Sequence, residues 1–173
     1  MIEKTYKTVR PFLIGILTIT VIVQGIVIYQ EKKEDQEQQE AFFISFYNEL
    51  NDTISYIENV STDDEGYMLT YKLNRVDKSL TRTGLVLESG HHFLNTDIIL
   101  SSFRSFFYYQ PIMDFSEDGS LSKNEKIKLN NIKKELENVK EDLDEKKEGQ
   151  LNKKMSIEEF NEIIKENQTL YIK

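Results

Sequence analysis

An all-α fold, in which an N-terminal transmembrane helix continues into an antiparallel helical bundle, is predicted by three features of this sequence. Residues 11–29 form an apolar run without a single charge. Downstream, apolar residues recur at alternating steps of three and four, the period of a buried helical stripe. Each stripe starts or stops at a helix signal such as a capping box, a glycine or a proline. The chain divides accordingly into a cytoplasmic N-terminal tail over 1–10, a transmembrane helix over 11–29 and an extracytoplasmic helical-bundle domain over 30–173.

The first element is the span. At a rise of about 1.5 Å per residue, the helix from Pro11 to Tyr29 covers roughly 28 Å, one hydrocarbon core. Pro11 suits the first turn of a helix, where its missing N–H loses no partner. Tyr29 stands where an interfacial aromatic belongs. Lys4, Lys7 and Arg10 also resemble the basic leader of a signal peptide, but no small-residue cleavage pattern follows Ile28, so the span reads as an uncleaved anchor. Three basic side chains precede it and two, Lys32 and Lys33, follow closely. That bias places the N-terminus in the cytoplasm and the bundle outside.

Past the span, Glu31 to Glu40 is polar without a helix breaker and reads as a solvated continuation of the same helix. Phe43, Tyr47, Leu50, Ile54 and Ile57 then give it a buried stripe. Thr62 and Glu65 match a capping box opening a second helix, with Leu69, Leu73, Val76, Leu80, Thr83 and Leu87 inward and Gly90 as its cap. A third helix is expected from Asn95 to Gln110, stopped by Pro111. It carries Phe103, Phe106, Phe107, Tyr108 and Tyr109, which favour core packing over an exposed contact. Ser122 and Glu125 form the next capping box, opening a helix that buries Leu129, Ile132, Leu136, Val139 and Leu143 and closes at Gly149. Ser156 and Glu159 form the last box, with Met155 and Phe160 as a hydrophobic staple, and Ile157, Phe160 and Ile164 face inward. The short heptad runs also suit a coiled coil between chains, although each stops after about three heptads, which favours folding back within one chain.

Composition narrows the function. A formal net charge of −8 argues against a nucleic-acid partner, which needs a basic face, and the absence of cysteine removes thiolate metal sites and cysteine nucleophiles. His91 and His92 are adjacent, so their side chains diverge and read as a polar loop. Ser120 and Lys123 match the S-x-x-K signature without its partner motifs. No convergent set of reactive groups emerges, and a non-enzyme is expected.

The most specific pattern runs from Asp114 to Glu125. Asp114, Ser116, Asp118, Ser120, Ser122 and Glu125 occupy the ligand positions of a calcium-binding loop, with Gly119 at the sharp turn. A hard cation needs oxygen ligands at alternate positions and a distal carboxylate able to bind through both oxygens. The competing reading is a helix-to-helix turn closed by the Ser122–Glu125 capping box, which needs no metal. The turn is favoured, so no cofactor is expected beyond weak calcium binding.

The single span, the charged stalk and the stretch from Tyr47 to Ile54 resemble a group of uncharacterised bacterial single-span envelope proteins. The turn from Gly119 to Glu125 is similar to that group as well. The resemblance implies a helical extracytoplasmic domain, no assigned activity, and a structural role for the Gly119 turn. The expectation is a bacterial, membrane-anchored protein that binds a protein partner or forms a homo-oligomer. The alternative is a small-ligand or calcium-responsive sensory module acting through a partner.

Overall fold

The computed structural model describes residues 2–61, 63–90, 106–107, 112–116, 118–144 and 149–168, the side chains of residues 2–15, Ser116 and Gln168 excepted. Four helices account for most of them: α1 (Ile2–Glu58), α2 (Gly66–Ser89), α3 (Lys123–Leu143) and α4 (Ile157–Gln168), with a 3-10 turn at Met113–Ser116. Among the described residues there is no β-strand, and the expected all-α class holds.

The chain divides into two compact units, Met1–Gln38 and Gln39–Lys173. The first is helical from Ile2 onward, and the described side chains over 16–38 are all exposed. Lys33 and Glu37 pair across one turn at 3.5 Å. Among the described residues, no helix is long and apolar enough to cross a membrane. Of the apolar run expected to span one, residues 16–29 fall among the described side chains.

The second unit is built on residues 42–57 of α1. Phe42, Phe43, Phe46, Tyr47, Leu50, Thr53, Ile54 and Ile57 are all buried there. This is wider than one stripe because three neighbours share the helix. Against α2, Glu49 meets Arg82, Thr53 meets Ser79 and Thr83, and Tyr56 meets Arg75. Numbers rise along α1 as they fall along α2, so the pair is antiparallel. Tyr47 meets Asp144 and Glu58 meets Lys133, which makes α3 antiparallel to α1 too. Against α4, Phe160 lies among three rings of α1, with centroids 5.5 Å from Phe42, 4.9 Å from Phe43 and 5.5 Å from Phe46.

The stripes expected on α2 and α3 are buried without exception, as are Met155, Phe160 and Ile164 around α4; Ile157 is half-buried against the same core. The contact between α1 and α2 contains buried hydroxyls. Thr53 Oγ1 lies 2.8 Å from Ser79 Oγ and 3.0 Å from Thr83 Oγ1. Thr53 donates to the Glu49 carbonyl at 2.8 Å and Thr83 to the Ser79 carbonyl at 2.9 Å. Ser79 is then left to donate to Thr53, and no proton in the trio is stranded.

Three boundaries differ from the expectation. No capping box opens α2: its N-cap is Glu65, in extended backbone and with no side-chain cap. The N–H of Gly66 instead reaches the carbonyl of Gly119 at 2.7 Å, and Glu65 bridges to Ser120. Gly66 (φ +53°) and Gly119 (φ +76°) both have left-handed backbone, which glycine adopts without a Cβ clash. A tertiary contact thus replaces the local cap. Second, α3 ends at Leu143, short of Gly149, because Asp144 turns extended and bridges to Leu151. Third, the helix expected over 95–110 lies outside the described residues except at Phe106 and Phe107, which are helical and buried as core.

Tyr47 fastens the end of α3. Its hydroxyl donates to the Asp144 carboxylate and lies 3.1 Å from the carbonyl oxygen of Gly149. Burial, reinforced by the hydrogen bond to Asp144 and its negative charge, pushes the phenol from 10.0 up to about 12. The folded chain therefore keeps this proton where the unfolded chain has lost it, so stability falls as pH rises from about 10 to 12. Tyr47→Phe should flatten that part of the curve, seen by comparing denaturant midpoints of both proteins across this range. A second expectation concerns the core. Leu136 is fully buried, and Leu136→Ala should lower the unfolding free energy by about 3 kcal/mol in denaturant titrations followed by circular dichroism.

Candidate functional site

Two surfaces are candidates, the loop from Asp114 to Glu125 and the outward face of α2. The loop is held at both ends by apolar anchors, since Ile112, Phe115 and Leu121 are buried. The expected ligands Asp114, Asp118, Ser120 and Ser122 face solvent, while Glu125 is half-buried; the Ser116 side chain lies outside the description. Glu125 is already engaged: the Ser122 N–H donates to its carboxylate at 2.7 Å, and the Glu125 N–H donates to Ser122 Oγ at 3.3 Å. These hydrogen bonds from Ser122 hold the Glu125 carboxyl below the usual carboxylate range. Among the described residues, no group of three or more acidic or histidine side chains converges as a metal ligand set. The residues are brought together as a capped turn, and a calcium ion would have to take Glu125 from its cap.

The face of α2 escaped the sequence reading, which followed only the stripe turned inward. Tyr67, Tyr71, Arg75, Lys78, Arg82 and Leu85 are all exposed. At 100° per residue they fall within about 80° of the helix circumference. Tyr67 is 83% exposed and stacks on Tyr71 with centroids 6.5 Å apart. The Arg75 guanidinium carbon lies 4.3 Å from the ring centre of Tyr56 on α1 and 5.9 Å from that of Tyr71. These contacts order a long cationic side chain that would otherwise move freely. Met68, 51% exposed, flanks the row. Tyrosine, arginine and methionine are the residues enriched where proteins meet. The four-residue repeat Tyr67, Tyr71, Arg75 was the available signal.

Just before α2, Asp64 is held by two neighbours. It accepts from Lys72 Nζ at 2.7 and 2.8 Å and from the Ser61 N–H at 2.6 Å. Lys72 beside it holds the Asp64 carboxyl below the usual range.

The loop makes a direct prediction. Ser122→Ala removes the cap of α3 and should cost about 1 kcal/mol. That cost should be equal with millimolar calcium and with chelator, read from melting curves of the full chain. A calcium-dependent rise in melting temperature, lost in Asp114→Ala, would show instead that the ion displaces the cap.

Compared with protein-family models, with curated proteins and with solved structures, the chain matches none.

Proposed function

We propose that this chain is a membrane-anchored, non-enzymatic helical protein of the bacterial envelope, which holds a protein partner on the exposed face of α2. The observation that carries the anchor is the exposure of residues 16–29. Ile16, Leu17, Ile19, Val21, Ile22, Val23, Ile26, Val27 and Ile28 are each between 45% and 69% exposed, on every side of one continuous helix. An all-round apolar helix belongs either in a protein core or in lipid. No core covers this one among the described residues, which supports lipid. With residues 11–15, apolar in sequence, the run reaches the length of a hydrocarbon core. The basic residues before it favour a cytoplasmic N-terminus.

The partner reading rests on charge and composition. In a chain of net charge −8, the α2 face gathers Arg75 and Lys78 beside two tyrosines, with Arg82 in the same row paired to Glu49 of α1. Such a face attracts an acidic protein segment and gives it aromatic surface to pack on.

Expressed in bacteria, the full chain should stay with the membrane through an alkaline carbonate wash, and a phosphatase fused after Lys173 should be active. A photo-crosslinking amino acid replacing Tyr67 should capture one discrete protein, with the yield at least halved in Arg75→Glu. Release by carbonate sinks the anchor; an adduct pattern indifferent to Arg75→Glu sinks the docking face.

A further inference from the structure

Between Ile16 and Ile28 of the apolar run, one hydrogen-bonding side chain makes no hydrogen bond to the described residues. Thr20 donates to the carbonyl of Ile16 at 3.0 Å, and Thr18 is engaged as well. Gln24 is exposed and makes no hydrogen bond to the described residues. Its amide carries two donors and an acceptor, and in hydrocarbon each unpaired group is costly. It cannot easily reach the headgroups. Gln24 lies five residues before Tyr29, and helical side chains lean toward the N-terminus, so its stem leads away from the nearer interface.

The neighbours of Gln24 are suited to close contact. Val21, Gln24, Gly25 and Ile28 lie within about 100° of the helix circumference. Gly25, at the edge of this arc opposite Gln24, carries no side chain, and the space a Cβ would take there is open. Small residues of this kind let two helix backbones approach in lipid.

Resting on the anchor reading above, we infer that the helix pairs in parallel with the same helix of a second copy, with the two Gln24 amides hydrogen-bonding each other and Gly25 allowing the backbones a close approach beside them. Two copies inserted in the same sense place Gln24 at the same depth by symmetry. A primary amide is its own complement, each side offering both an N–H and a carbonyl. No other occupant is guaranteed to present a matching group at that level.

The chain contains no cysteine, so Ile28→Cys introduces a single thiol on the proposed face and Val23→Cys a single thiol on the opposite one. In native membranes, mild oxidation should join Ile28→Cys into a disulfide dimer and leave Val23→Cys largely monomeric. Adding Gln24→Leu should weaken association about tenfold, while Gln24→Asn should retain most of it. Gly25→Ile should weaken it too. Equal crosslinking from both faces, or a dimer unchanged by Gln24→Leu, overturns the pairing while leaving the anchor intact. Release of the chain by carbonate overturns the anchor and the pairing with it.

Discussion

Residues 42–57 of α1 are buried against three helices at once, and the rest of the second unit follows from that. Each neighbour demands a different surface. Toward α4 the chain supplies Phe42, Phe43 and Phe46 to surround one ring, Phe160. Toward α2 it supplies Thr53, small enough for a close approach and polar enough to satisfy Ser79 and Thr83. Toward α3 it supplies Tyr47, apolar in body and polar at its tip, to meet Asp144. Fully enclosed residues such as Leu50 leave no room for a side chain of another size.

Charge plays a different part. Glu49–Arg82 and Glu58–Lys133 tie residues distant in sequence, while Asp64–Lys72 is local to the start of α2. Partly exposed pairs of this kind contribute little to stability, with a median of about 0–1 kcal/mol. The two pairs that join helices sit at separate levels of the bundle, so a one-turn slip would part each from its partner. The core supplies the cohesion and the ion pairs select the register.

Much of this was legible from spacing. The 4-3 stripes named every inward residue of α2 and α3 that the core uses most, and two of three capping boxes form as the local pattern implied. What spacing could not show was anything dependent on a distant segment. Phe42 and Phe46 lie beside the stripe and are buried only because α4 lies over them. The start of α2 was misjudged because Thr62 and Glu65 have the right types for a local cap, while the Gly66–Gly119 contact is invisible to local rules. The Tyr67–Tyr71–Arg75 row was overlooked for a related reason: periodicity marks buried residues by contrast with polar neighbours, and an exposed aromatic row has none. The loop from Asp114 to Glu125 drew attention through residue types that serve a turn as readily as an ion.

The manner in which α2 begins has a further consequence. Helices α3 and α4 each carry a cap within their own first turn, so their starts are fixed by local residues. The first turn of α2 lacks one and is registered through a contact with residues 119–120, more than fifty positions along the chain. Closing so long a loop carries an entropic cost that a local cap avoids. The amide protons of that turn should therefore be among the first in the bundle to exchange with solvent. Tyr67 stands on this turn and Tyr71 one turn later, stacked on it, so a ligand that gripped the pair would also steady the joint between residues 65–66 and 119–120.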